Sequence, residues 1–243
     1  MPATASSLLL FPDGLDNPLT CRERTDASSE WLLALRHAQI PFQTDHSLMV
    51  LHGHPLVLRL GLHAAADRAL AGEPVVYLDG ANTFDPFVIG RLARAHRQVP
   101  RKILSLVHVA RAFTCHQMER LVSDCLEEAL MRYQARIAVV SGLFETFYDE
   151  AVPSQEVARL AGRMMRHLRR MAQRGYVLVC LCPPVPAVMS SRHRFIDQLC
   201  GQADRGIRVG EAPGQGIIRL EEEPNGREAG QVWEVARTVL ESR

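Results

Sequence analysis

Val75-Val-Tyr-Leu-Asp-Gly-Ala-Asn-Thr-Phe-Asp-Pro86 is the stretch whose reading decides the fold. Its first four residues are a short apolar run bounded by breakers, the pattern of a strand buried on both faces of a parallel sheet. Gly80 to Asn82 are turn formers. Asp85 and Pro86 then supply an N-cap and a proline at the first helical position, where a missing N–H costs nothing. The helix they open runs through Val88, Leu92 and Ala93. Strand, turn and capped helix within twenty residues are one unit of a β/α alternation.

The same unit recurs on either side. Residues 48–51 are an apolar run leading to a Leu- and Ala-rich helical pattern over 56–70. Thr114 and Gln117 form a T-x-x-Q capping box. Behind it, apolar residues at 118, 121, 122, 125, 126, 129 and 130 make the stripe of a helix laid on a sheet. Residues 137–140 predict the next buried strand. Ser154 starts a long helix to Arg174, which Gly175 stops in the left-handed conformation. Residues 176–181 predict a further strand, broken by Pro183-Pro184, and 187–202 read as irregular with one short helical pattern. Residues 207–209 and 216–220 pair as a hairpin across the glycine-rich turn Gly210-Glu-Ala-Pro-Gly-Gln-Gly216, and 232–240 is a last amphipathic stretch. The glycine-rich turn precedes a strand, the wrong context for phosphate binding. The alternation predicts one doubly wound, mostly parallel twisted sheet between two helical layers, with a C-terminal antiparallel hairpin. The expected division is a leader over 1–46, carrying a short helix at 31–35 behind Ser28 and Ser29, and a core domain over 47–243.

Composition excludes several classes of function. With 28 basic and 27 acidic residues the formal charge is +1, so any nucleic-acid binding needs a local basic patch. The six cysteines, at 21, 115, 125, 180, 182 and 200, contain no C-x-x-C pair, which predicts reduced thiols in a cytoplasmic protein. Cys180 and Cys182 share one face of a strand and read as buried small hydrophobes. His52 and His54, with His63 nearby, lack a cysteine or carboxylate at ligand spacing, so no metal site is expected. His108 and His116 read as structural. There is no G-x-S-x-G elbow for a serine hydrolase, and no apolar run approaches the roughly 20 residues of a membrane span.

Three stretches taken together carry a resemblance: residues 75–86, Val107-His-Val-Ala-Arg-Ala-Phe-Thr-Cys-His-Gln117, and Leu143-Phe-Glu-Thr-Phe-Tyr148. Their order and spacing are similar to those of the RecA/RadA-type recombinases, the strand-exchange ATPases and their paralogues. Thr83, Phe84, Pro86, the run Ala110-Arg-Ala-Phe113, and Leu143-Phe144 match that pattern, and the matching segments cover roughly residues 47–220. The resemblance implies a RecA-like three-layer α/β/α core.

It also implies where the catalytic groups should fall, and there this chain departs. No G-x-x-x-x-G-K-[ST] phosphate loop occurs. The corresponding stretch is Gly53-His-Pro-Leu-Val-Leu-Arg-Leu60, in which Leu58 replaces the glycine that lets the backbone approach phosphates and Arg59 replaces the lysine. Ser141 stands where the resemblance places the magnesium-holding aspartate, Ala81 where it places the water-activating glutamate, and Cys182 and Pro183 where it places a polar pair. No catalytic residue and no cofactor are expected: the reading is a pseudo-ATPase, an accessory or regulatory factor in DNA recombination or repair that acts through protein or DNA binding. Its implied partner is a recombinase or DNA-repair protein, with DNA and self-association also compatible. The alternatives are a diverged nucleotide-binding switch using ATP and magnesium, with Arg59 and Asp79 in place of the usual groups, and an assembly module unrelated to DNA. The candidate contact residues for DNA or a partner are Arg111, Arg163, Arg166, Arg170, Arg192 and Arg194. For the arginines of the 154–174 helix the bland alternative is a solvated face, with Met164, Leu168 and Met171 turned inward.

Overall fold

The computed structural model describes residues 48–213, 216–223 and 231–241. The leader expected over 1–46, with its short helix, lies outside the described residues.

The chain builds β1 (Leu48–His52), α1 (Val57–Leu70), β2 (Val75–Asp79), α2 (Pro86–Ala95), α3 (Pro100–Leu104) and β3 (Val107–Arg111). Next come α4 (Cys115–Arg120), a π turn at Leu121–Cys125, α5 (Leu126–Arg132), β4 (Ile137–Ser141), α6 (Ser154–Gln173), β5 (Val177–Cys182) and α7 (Arg194–Cys200). The chain then adds β6 (Arg205–Glu211), β7 (Ile217–Glu222), β8 (Val232–Ala236) and α8 (Arg237–Glu241). The eight strands among the described residues form one sheet in the order β3-β2-β4-β5-β1-β6-β7-β8. Pairing is parallel from β3 to β6 and antiparallel across β6-β7-β8. The expected RecA-like three-layer α/β/α core with its C-terminal antiparallel extension is therefore present.

Local chemistry explains most element boundaries. Asp85 accepts a hydrogen bond from the Phe87 amide at 2.9 Å with Pro86 at the first helical position. Thr114 accepts from the Gln117 amide at 3.2 Å, while the Gln117 side chain accepts from the Phe113 amide at 2.8 Å. Gly175 takes φ +95° after α6. Strands β2 and β4 are buried along their whole length, whereas the edge strand β8 alternates exposed and buried residues.

Three local expectations change. The amphipathic stretch at 232–240 splits into β8 and α8, because its apolar alternation meets the open edge of β7. The region 187–202 is more ordered than it reads, with a 3₁₀ segment at Ala187–Arg192 before α7. The single helix expected under the 118–130 stripe is interrupted by the π turn, while Met118, Val122, Leu126 and Leu130 all stay buried in one apolar layer.

Two apolar layers flank the sheet. On one side Met49, Leu51, Tyr77, Val139, Val179 and Leu181 pack against α1, α2 and α3. On the other, Val50, Leu78, Val140 and Cys180 pack against α4 to α7. Met164, Leu168 and Met171 of α6 point into that second layer, and Cys180 and Cys182 are buried in it. The five described cysteines are free thiols. No helix among the described residues is long and apolar enough to cross a membrane.

Among the described residues, His63 is the one histidine buried deep in a helix of this core. It lies on the inner side of α1, and burial, aided by the charges of Arg59 and Arg91, holds its pKa at about 3 instead of 6.5. The imidazole folds neutral, so its contribution is complete above pH 6.5 and is lost as pH falls towards 3. At pH 5 that loss amounts to about 2 kcal/mol. The stability difference between pH 7 and pH 5, measured by urea denaturation, should shrink by about that amount in His63→Leu. An unchanged difference would show that His63 does not titrate with unfolding.

Candidate functional site

In an open α/β sheet, ligands bind beyond the carboxyl ends of the strands. Here that rim is formed by the turns after β1, β2, β4 and β5. Gly53 begins the first turn with φ +105°, and a Cβ there would meet the Val209 carbonyl oxygen at 2.9 Å. Only glycine fits at this position.

Beyond Gly53 the chain makes a closed turn. The Leu56 amide donates to His54 Nδ1 at 3.2 Å. The amides of Val57, Leu58 and Arg59 donate to the carbonyls of His54, Pro55 and Leu56 at 3.0, 3.3 and 3.0 Å, and the Leu60 amide donates to the Leu56 carbonyl at 3.1 Å. A phosphate cradle needs several adjacent amides aimed outward at an anion. In this chain each amide from 56 to 60 already has an acceptor within the turn. Arg59 projects from the first turn of α1, near enough to His63 for its charge to be felt there.

The turns after β2 and β4 are packed against each other. Gly80 N–H donates to the Ser141 carbonyl at 2.8 Å. A Cβ on Gly142, which has φ +64°, would lie 2.6 Å from the Ala81 Cβ. The small side chains at 80, 81 and 142 let the turns touch where a glutamate at 81 would need room. Ser141 is fully buried at the end of β4. The Tyr77 phenol, on the neighbouring strand and the same face, reaches towards it; burial raises the phenol pKa, with the Ser141 hydroxyl giving partial relief. Tyr77 packs edge-on against Phe84 with ring centroids 5.0 Å apart.

Asp79 is the only carboxylate at this rim that is wholly buried among the described residues. Oδ1 accepts from the Thr83 amide at 3.0 Å and Oδ2 from the Phe84 amide at 2.9 Å. Arg111 Nε lies 3.3 Å from Oδ2, and Arg111 also donates to the Phe84 carbonyl at 3.2 Å. Asp79 thus shapes the 80–84 turn and draws Arg111 of the neighbouring strand onto it.

The six candidate arginines separate into different environments. Arg111 is tied to Asp79. Arg163 reaches from α6 to Glu119 at 3.0 Å and Asp124 at 2.9 Å. Arg192 requires a correction: it is 6% exposed, and its guanidinium donates to the carbonyls of Phe147, Asp149 and Val152. It clamps the 147–152 loop from inside, so it offers no charge to DNA or a partner. Arg166, Arg170 and Arg194 are exposed. Arg194 lies over the Phe195 ring at 5.3 Å. Neighbouring Arg169 and Arg174 are paired with Asp204 and Glu127, so acidic residues blunt much of the basic face.

The histidines also acquire partners that spacing does not reveal. His108 stacks on Tyr133 with centroids 3.6 Å apart, and His116 lies 3.7 Å from Glu156. His54 Nε2 faces Glu211 at 3.6 Å and His52 Nε2 faces Glu223 at 3.0 Å.

Fold and rim together define a RecA-like α/β domain whose first rim turn is closed on its own carbonyls. The Rad51 family model matches residues 53–198, from the glycine that starts that turn to the middle of α7. The chain belongs to the Rad51 family, within the RecA-type recombinases. This relationship ties it to recombination and repair.

Proposed function

We propose that the protein is a non-catalytic family member, an accessory or regulatory factor in DNA recombination or repair that works by binding a protein or DNA. The observation that carries this reading is the consumption of the amides at 56–60 by acceptors of the turn itself. It is supported by Leu58, Ala81 and Ser141 at the positions where phosphate approach, water activation and magnesium binding would be served. Cofactor-free binding is the consequence: neither ATP nor magnesium is required. The partner is a recombinase or repair protein of the cytoplasm, and the free thiols suit that reducing compartment. Arg166, Arg170 and Arg194 are the contact residues, since exposure leaves their charge available.

The switch reading with Arg59 and Asp79 has less support, because both Asp79 oxygens are already engaged by amides and Arg111. Isothermal titration with ATP and magnesium separates the two. The expected result is no saturable heat at micromolar nucleotide and a hydrolysis rate at background. A magnesium-dependent micromolar affinity overturns the proposal. Filter binding of single-stranded DNA over a salt series then distinguishes the two binding modes. If DNA is the ligand, Arg166→Ala should lower the salt slope by about one unit. Absence of retention at low salt leaves the protein partner.

A further inference from the structure

His52, Cys200 and Glu223 come from three distant parts of the chain: the end of β1, the end of α7, and the residue after β7. Their ligating atoms all lie within 4.8 Å of one another, and all three residues are partly buried. His52 Nε2 and Glu223 Oε1 are 3.0 Å apart. Two such ligands on one tetrahedral zinc, each about 2.0–2.2 Å from the ion, stand roughly 3.4 Å apart. A few tenths of an ångström of side-chain movement therefore converts the pair into two ligands of one cation.

The approach of Glu223 is made possible by Gly206. A Cβ at that position would lie 2.7 Å from Glu223 Oε2, so any larger residue on β6 would push the carboxylate away from His52. Gly206 pairs with Val50 in the parallel register, two residues before His52. A histidine–carboxylate ion pair alone would need no sulfur, yet the Cys200 thiol completes the triangle. Cys182 is the register partner of His52 on β5, and the Cys180, Cys182 and Cys200 thiols are near enough to influence one another.

We propose that His52, Cys200 and Glu223 form a binding site for a divalent cation of the zinc type, with water or a neighbouring thiol in the fourth position. Imidazole, thiolate and carboxylate are zinc's donor set, and a thiolate disfavours magnesium and calcium. Bound there, the ion ties β1, α7 and the C-terminal hairpin together directly before the Gly53 turn. The site is independent of the nucleotide question.

The test uses the full chain stripped with chelator and titrated with Co²⁺, then Zn²⁺. One equivalent of Co²⁺ should bind, giving thiolate-to-cobalt charge transfer and four-coordinate visible bands that Zn²⁺ removes. Zn²⁺ should also raise Tm. Cys200→Ser should abolish the charge-transfer band, and Glu223→Gln and His52→Gln should each weaken binding about tenfold or more. Circular dichroism checks that each variant is folded. If Cys200→Ser does not fold, Glu223→Gln alone decides, since its side chain is partly exposed and the substitution is nearly isosteric. Lack of stoichiometric uptake at micromolar metal, a charge-transfer band surviving in Cys200→Ser, or unchanged affinity in Glu223→Gln would each overturn the assignment.

Discussion

Asp79→Ala should cost about 3–5 kcal/mol of folding stability, since the buried carboxylate accepts two backbone hydrogen bonds and each bond to a charged group contributes about 1.5–3 kcal/mol. The carboxylate is inaccessible to solvent and serves the Thr83 and Phe84 amides as well as Arg111. Truncation leaves the Phe84 amide buried without an acceptor and strips Arg111 of its counter-ion. Urea denaturation should show a lower midpoint at unchanged slope. Asp79→Asn keeps one acceptor oxygen and should lose less, about 1–3 kcal/mol. A carboxylate reserved for a nucleotide-bound cation would behave oppositely, because removing it from the ligand-free protein relieves a buried charge. An unchanged midpoint in Asp79→Ala would defeat the clamp assignment.

Arg192→Ala is expected to cost about 3 kcal/mol, since hydrogen bonds from a charged donor contribute about 1.5–3 kcal/mol each and the acceptors stay buried. Its guanidinium serves three carbonyls along the 147–152 loop. Arg192→Lys should recover only part of this, because a single ammonium cannot span the positions that two Nη groups reach. Arg166→Ala, at an exposed position, should stay within about 0.5 kcal/mol of the parent. Thermal or urea melts of the three variants provide the check. Equal stability of Arg192→Ala and Arg166→Ala would return Arg192 to the surface.

These two residues mark the boundary of what could be read from order alone. Asp79 was legible as a rim residue because it ends an apolar run and precedes a turn, but its partners were not. Thr83 and Phe84 are near in sequence, whereas Arg111 meets it only because β3 pairs with β2. Arg192 read as a loop arginine because residues 187–202 show weak periodicity. Its burial depends on a loop 40 to 45 residues earlier folding back over it. The arginines of α6 show the converse. Periodicity placed Met164, Leu168 and Met171 inward and left the arginines outward, as observed. Which of them remain unneutralised was set by Glu119, Asp124, Glu127 and Asp204 on other elements.

The order of residues by itself determined the β/α alternation, the capped helix starts and the family resemblance. Each of these is written in periodicity or in a motif spanning a few residues, so local propensity carries it. The tertiary structure decided which arginines pair with carboxylates of other elements, and that His52 meets a thiol and a carboxylate. Those outcomes depend on strand order and on side chains between 35 and 171 residues apart. Only the assembled sheet, with β1 set between β5 and β6, brings such groups within bonding distance.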